Sequence, residues 1–288
     1  MKKIKTEKIF YSHTVSVSAF FIIGQFIISL PFIKDFYGLL GFLISAVAGV
    51  LFCFFVTPLV KKAVKIKIIL LPLTVLCAFI LANTFKTFCD FASSVLYENY
   101  AITAGLFFLA CLYFGFKKAE DILKFSLLSF VYSLIVLMIF ILLLLPNLKL
   151  QNLSLPINFE IEKLLKSSFE TFISIFSFVF ILGFFEFSIL GETRKSAITS
   201  GVIIGSVVLL ICALSVIFLF GSEFSAVVRF PFVQAISTAT IGKLFSRLDV
   251  FIYFIFFFSS LLKIEVCVFV IKFCLKNIQA EQKYKLNT

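Results

Sequence analysis

The run FETFISIFSFVFILGFFEFSILGETRK, Phe169–Lys195, decides the fold class. A helix needs about 20 predominantly apolar residues to cross a bilayer, and this stretch supplies them with one carboxylate, Glu186, well inside. A charged side chain at that depth costs roughly 2.5 to 3.5 kcal/mol even on insertion scales, so Glu186 has to be hydrated, paired or protonated. Gly183 lies one turn earlier. There a membrane helix can loosen and turn backbone groups towards a ligand. Alternatively, Gly183 lets a neighbouring helix approach while Glu186 snorkels to the interface.

The rest of the chain shares that character. Of 288 residues, 61% are hydrophobic and 14% charged, with a mean hydropathy of +1.15, far more apolar surface than a soluble domain of this length can bury. The fold class is all-α, a polytopic integral membrane protein in the lipid bilayer. Phe occurs 43 times and Trp not at all, a bias that AT-rich coding produces together with abundant Ile and Lys. The net charge of +11 is spread over short segments between apolar runs, where it sets topology and offers no patch for nucleic acid. Seven cysteines, among them Cys89 and Cys267, sit in apolar runs without a CxxC pair and read as small hydrophobes. The single histidine, His13, has too few ligand types around it for a metal site. No P-loop, metal cluster or activated nucleophile stands out, so neither an enzyme nor a cofactor is expected.

Eight apolar runs are expected to span the membrane: Ile9–Phe32, Tyr37–Val60, Ile66–Ser94, Ala101–Phe116, Ile122–Leu145, the opening stretch, Ala197–Phe220 and Val250–Phe273. The polar segment Pro146–Lys166 is an outer loop with a short interfacial helix near Glu160–Lys166. It divides a single transmembrane domain, 1–288, into a five-helix half, 1–145, and a shorter half, 167–288. The moderately apolar segment Gly221–Asp249 reads as a helical loop on the outer face. Lys and Arg concentrate at the amino terminus, after the second, fourth and sixth runs, and in the carboxyl tail, which places both termini in the cytoplasm.

An odd number of spans before the long loop makes the first and sixth runs equivalent members of two inverted halves. Each carries a glycine beside polar groups: Gly24, Gln25 and Ser29 in one, Gly183 and Glu186 in the other. Paired interruptions of this kind point to a mid-membrane ligand site built from discontinuous helices. Lys263 lies deep in the last run, with Ser259 four residues earlier on the same face and Glu265 about 200° away around the helix. Lys263 is expected to pair with a carboxylate, Glu186 among the candidates, or to stand as a fixed cation beside an emptied ion site.

Several stretches resemble one family. FEFSI (Phe185–Ile189), EFSAVVRFPFVQAISTATIGKLFSRLDVF (Glu223–Phe251), SSLLKIE (Ser259–Glu265) and YFGFKKAEDILKF (Tyr113–Phe125) are similar to the B-subunit permeases of spore germinant receptors. The resemblance implies membership of the amino acid, polyamine and organocation transporter superfamily and its five-plus-five inverted-repeat fold. It implies a small nutrient germinant, an amino acid, held between the first and sixth helices, and carries the family's positions onto Gly24, Glu186 and Lys263, although Gln25 departs from the family's small residues; with Gln25, Ser29, Gly183 and Ser259 from the reading of the residues themselves, these make up the expected ligand site. It further implies partners, a larger membrane subunit and a lipoprotein subunit, in the bacterial cytoplasmic membrane or spore inner membrane. Family members have ten spans where eight are expected here, so the second repeat is expected to be short. An autonomous proton-coupled amino acid transporter and a structural subunit of a sporulation complex are the alternative functions.

The topology is directly testable. An impermeant thiol reagent applied outside intact cells should label Ser154→Cys and Ser222→Cys and spare Lys117→Cys and Lys283→Cys. Labelling of Lys117→Cys would overturn it.

Overall fold

The computed structural model describes residues 2–29, 36–65, 70–96, 99–115, 117–153, 159–173, 178–190, 195–221, 230–238 and 249–286. Among them the fold is all-helical: α1 Lys2–Ser29, α2 Phe36–Lys65, α3 Leu70–Leu96, α4 Tyr100–Gly115, α5 Ala119–Leu144, α6 Ile161–Thr171, α7 Phe178–Leu190, α8 Lys195–Phe220, α9 Pro231–Thr238 and α10 Asp249–Leu286. Phe36–Val56, Leu70–Ser94, Ala119–Asn147, Lys195–Phe220 and Val250–Gln279 are long and apolar enough to cross a membrane. Shorter apolar stretches, Tyr11–Gly24, Tyr100–Gly115 and Phe178–Ile189, fall in α1, α4 and α7. Together these stretches follow the order of the apolar runs in the sequence. The interfacial helix expected at Glu160–Lys166 is α6, which continues to Thr171. The expected outer segment Gly221–Asp249 contains α9, while 222–229 and 239–248 lie outside the described residues.

The exterior of the bundle is as apolar as its core. Leu71, Val75 and Phe79 of α3, and Ile102, Leu106 and Leu109 of α4, face outwards, whereas Ser18, Ser45, Ser126, Ser133, Ser206 and Ser259 are buried. Hydrocarbon cannot reward apolar burial, so contacts form instead where small residues let backbones close up and hydroxyls find carbonyls. Ser133 and Ser168 donate back one turn, to Ser129 O and Leu164 O at 2.7 Å each, and so need no outside partner.

The α1–α8 crossing shows this packing best. Gly201 and Gly205 sit one turn apart on α8, and a Cβ at Gly201 would stand 2.6 Å from Val15 O and 2.5 Å from Ser18 Cβ. A Cβ at Gly205 would meet Ala19 O and Ile22 Cβ at 3.0 Å. As the glycines advance along α8 their partners advance along α1, so the two helices run parallel. At the α8 end, Gly221 takes φ +82° and its N–H donates to Ile217 O at 2.8 Å, the left-handed cap that glycine favours. Asn152, in the turn after α5, donates its side-chain amide to Phe218 O at 2.8 Å and Leu219 O at 3.1 Å, occupying carbonyls that the helix itself leaves unpaired.

Helix α2 packs against α6 and the first half of α7. Gly41 opposes Ser167 and Ser168, Ser45 Oγ donates to Ser168 O at 2.6 Å, Phe52 meets Phe172 at 5.9 Å between centroids, and Val56 and Val60 meet Gly183. The described parts of the stretch read as one span, on either side of residues 174–177, both run parallel to α2.

Gly201→Ala should lower the melting temperature of the purified protein in detergent, corresponding to about 1–3 kcal/mol of overpacking. Gly105→Ala, where nothing lies within 4 Å of the new Cβ, should leave it unchanged or raise it, since alanine favours a helix by about 0.5–1 kcal/mol. Equal melting temperatures for the two variants would refute the α1–α8 contact.

Candidate functional site

Three helices meet around the middle of α1. Phe21 of α1 packs edge-on against Phe178 of α7, with ring centroids 5.3 Å apart. Further back on α1, Thr14, Val17 and Ser18 face Leu182, Phe185, Glu186 and Ile189, with Leu123 of α5 closing the side. Partners ascend on α7 as they descend on α1, so these helices are antiparallel. From the other flank α10 brings Ser259 against Gly24, where a Cβ would overlap Ser259 Cβ and Oγ and stand 3.3 Å from its Cα. One turn later on α10, Lys263 carries its Nζ 5.1 Å from the Phe21 ring centroid and 5.5 Å from that of Phe178.

Lys263 is 1% exposed. Its ammonium lies beside two aromatic rings, and each desolvated cation–π contact contributes about 2 kcal/mol or more. Ser259 Oγ donates to Phe256 O at 3.0 Å, so its polarity is satisfied within α10. Glu186 is 4% exposed and borders a narrow pocket with room for about one water. Ser18 Oγ is buried beside that pocket without a hydrogen-bond partner among the described residues.

Gly24, Ser259 and Lys263 are thus brought together as one cluster with Phe21 and Phe178. Glu186 lies two turns beyond Phe178 on α7, roughly 12 Å along the axis. The cation and the carboxylate occupy different levels of the bundle. Glu265 is turned elsewhere, towards Cys111 of α4, as its position on α10 requires. Gly183 faces Val56 and Val60 of α2 and lies away from the cluster. Gln25 and Ser29 belong to α1, but their side chains lie outside the described residues.

Between a loosened helix and a close approach, the structure takes the second: α1 continues through Gly24 and α7 through Gly183. Both are places of close approach, where the absence of Cβ serves packing. Phe172 and Ile173 are still helical after Thr171, and residues 174–177 lie outside the described residues. Sequence reasoning also missed Thr14, Ser18, Phe21 and Phe178. Thr14 and Ser18 carry a usable signal, two hydroxyls four apart in an apolar run, whereas Phe21 and Phe178 are masked by the abundance of Phe.

A bundle of outward-apolar helices, five of those described long enough to cross a bilayer, that buries a lysine, a carboxylate and hydroxyls is a polytopic membrane protein. A family model for spore germination proteins, the spore permeases, matches residues 94–287, more than half of the chain, and the chain belongs to that family. The matched part includes Glu186, Ser259 and Lys263, whereas Gly24, Gln25 and Ser29 precede it. Comparison with curated proteins finds no match.

Gly24→Ala should destabilise the fold through its clash with Ser259, and adding Ser259→Gly should restore part of the loss in a detergent melting assay. Additive losses in the double variant would show that the two positions do not touch.

Proposed function

We propose that this permease-family protein is the membrane subunit of a germinant receptor and binds a small nutrient, an amino acid, where α1, α7 and α10 meet. The observation that carries this reading is Lys263, an ammonium buried beside Phe21 and Phe178 at the crossing of three helices. A structural lysine in hydrocarbon is costly, and intramembrane ionisable groups commonly line substrate pathways. An amino acid presents a carboxylate to such a cation and a side chain to the aromatic rings. Its own ammonium and carboxylate flank a single carbon, too close to bridge Lys263 and Glu186 together. Lys263, Ser259 and Gly24 accordingly form the ligand level, with Gln25 and Ser29 farther along α1. Glu186 acts one level away, as a gate or proton site beside Thr14 and Ser18, and Gly183 holds α7 against α2.

The close Gly24–Ser259 packing and the narrow pocket at Glu186 support a closed state, so binding requires α1 to move relative to α7 and α10. In a receptor that movement is passed to a larger membrane subunit and a lipoprotein subunit; both termini then lie in the cytoplasm. An autonomous proton-coupled transporter would use the same level to carry its ligand across.

Equilibrium binding of radiolabelled amino acids to purified protein tests the placement. Lys263→Met keeps an unbranched side chain that can pack on both rings, so the variant should fold while binding its ligand at least tenfold more weakly. Undiminished binding by a folded Lys263→Met would refute the site. Accumulation of label inside vesicles containing this chain alone would favour the transporter.

A further inference from the structure

A second concave surface lies on the opposite flank of α10, away from the Lys263 cluster. Leu81 and Phe85 of α3, Phe108 and Leu112 of α4, and Ile264 and Val268 of α10 line a groove of about 300 Å³ that is almost wholly apolar. It follows α10 from Ile264 to Lys272, roughly 12 Å of helix. At its end Lys272 Nζ donates to Gly115 O at 2.7 Å, the last residue of α4. One of the three ammonium protons is used there, and the others remain available to an acceptor.

The groove's end is basic. Lys117 and Lys118 follow α4, Lys276 lies one turn beyond Lys272, and all are exposed. Lys117 Nζ stands 4.4 Å from the ring centroid of Tyr113, an exposed aromatic of the kind that anchors helices at the membrane surface. Two exposed carboxylates, Glu120 and Asp121, begin α5 and complement its amino-terminal dipole. Glu265, buried beside the groove-lining Cys111 and within electrostatic reach of Lys272, is a third carboxylate, and four lysines against three carboxylates still leave this rim net positive by one.

We propose that the α3–α4–α10 groove binds an anionic phospholipid, with an acyl chain along Ile264 and Val268 and its phosphate at Lys272 and Lys117. A zwitterionic lipid could fill the same channel, but its choline would meet a net positive rim. The combination of an apolar channel with a basic end fits a lipid whose head group carries net negative charge, as basic pockets between membrane helices do. The occupied groove would couple α3 and α4 to the α10 segment that carries Lys263.

Native mass spectrometry of the protein, released from detergent after incubation with phosphatidylglycerol or phosphatidylcholine, tests the proposal. Wild type should retain phosphatidylglycerol at least fivefold more than phosphatidylcholine. Lys272→Gln with Lys117→Gln should remove that preference, and Val268→Trp, which fills the channel, should reduce retention of phosphatidylglycerol with both lysines in place. Lys61→Gln, which removes a cation at the end of α2, should leave the preference intact. Each variant is compared only where it elutes as a monodisperse peak; Leu112→Trp replaces Val268→Trp if the latter aggregates. Equal retention of the two lipids by wild type, or equal losses with Lys61→Gln and the Lys272 variant, would overturn the proposal. So would unchanged retention in the tryptophan variant.

Discussion

Burying the Lys263 amine among apolar side chains where α1, α7 and α10 meet is the constraint on which the rest of the bundle depends. Even lenient scales put that cost at about 2.5 to 3.5 kcal/mol, so the groups around it must replace what water would have given. Phe21 and Phe178 supply their ring faces, and they can do so only if α1, α7 and α10 stay in register. A slip of one residue on α10 would rotate Lys263 about 100° away from both rings. Gly24 fixes that register one turn away, because only a residue without Cβ lets the Ser259 side chain sit against it.

Each of the three helices is in turn held from outside. Helix α8 clamps α1 through Gly201 and Gly205, and α2 lines α6 and α7 through Gly41, Ser45, Val56 and Val60. Helix α3 fastens the outer part of α10 through an aromatic cluster in which Phe88 stacks on Phe107 at 3.9 Å and packs against Phe256 at 5.8 Å. Small residues sit where two backbones meet and aromatic rings fill the wider spaces, as van der Waals packing without a hydrophobic driving force requires.

The sequence made the class plain, because hydropathy and charge asymmetry follow directly from what a bilayer excludes. The order of the apolar runs was legible for the same reason, and the family from specific stretches such as Phe185–Ile189 and Ser259–Glu265. What glycine does was not. Gly24 and Gly183 could equally loosen a helix or admit a neighbour, and only the position of Ser259 or Val56 decides. Gly201 and Gly205 carried a readable four-residue spacing in span seven, yet their partner on α1 depends on tertiary arrangement. Lys263 and Ser259 were legible as one face from helical periodicity. The offset between Lys263 and Glu186 was not, since it depends on how α7 is placed against α1.

That placement is tested most directly by cross-linking in native membranes, in a chain whose seven cysteines have been replaced. A short homobifunctional thiol reagent should join Phe21→Cys to Phe178→Cys, and Ser18→Cys to Leu182→Cys. It should fail to join Phe21→Cys to Ile189→Cys. If Phe21→Cys instead reacted with Ile189→Cys and not with Phe178→Cys, the antiparallel register of α1 and α7 would be wrong, and with it the division of Lys263 and Glu186 between two levels.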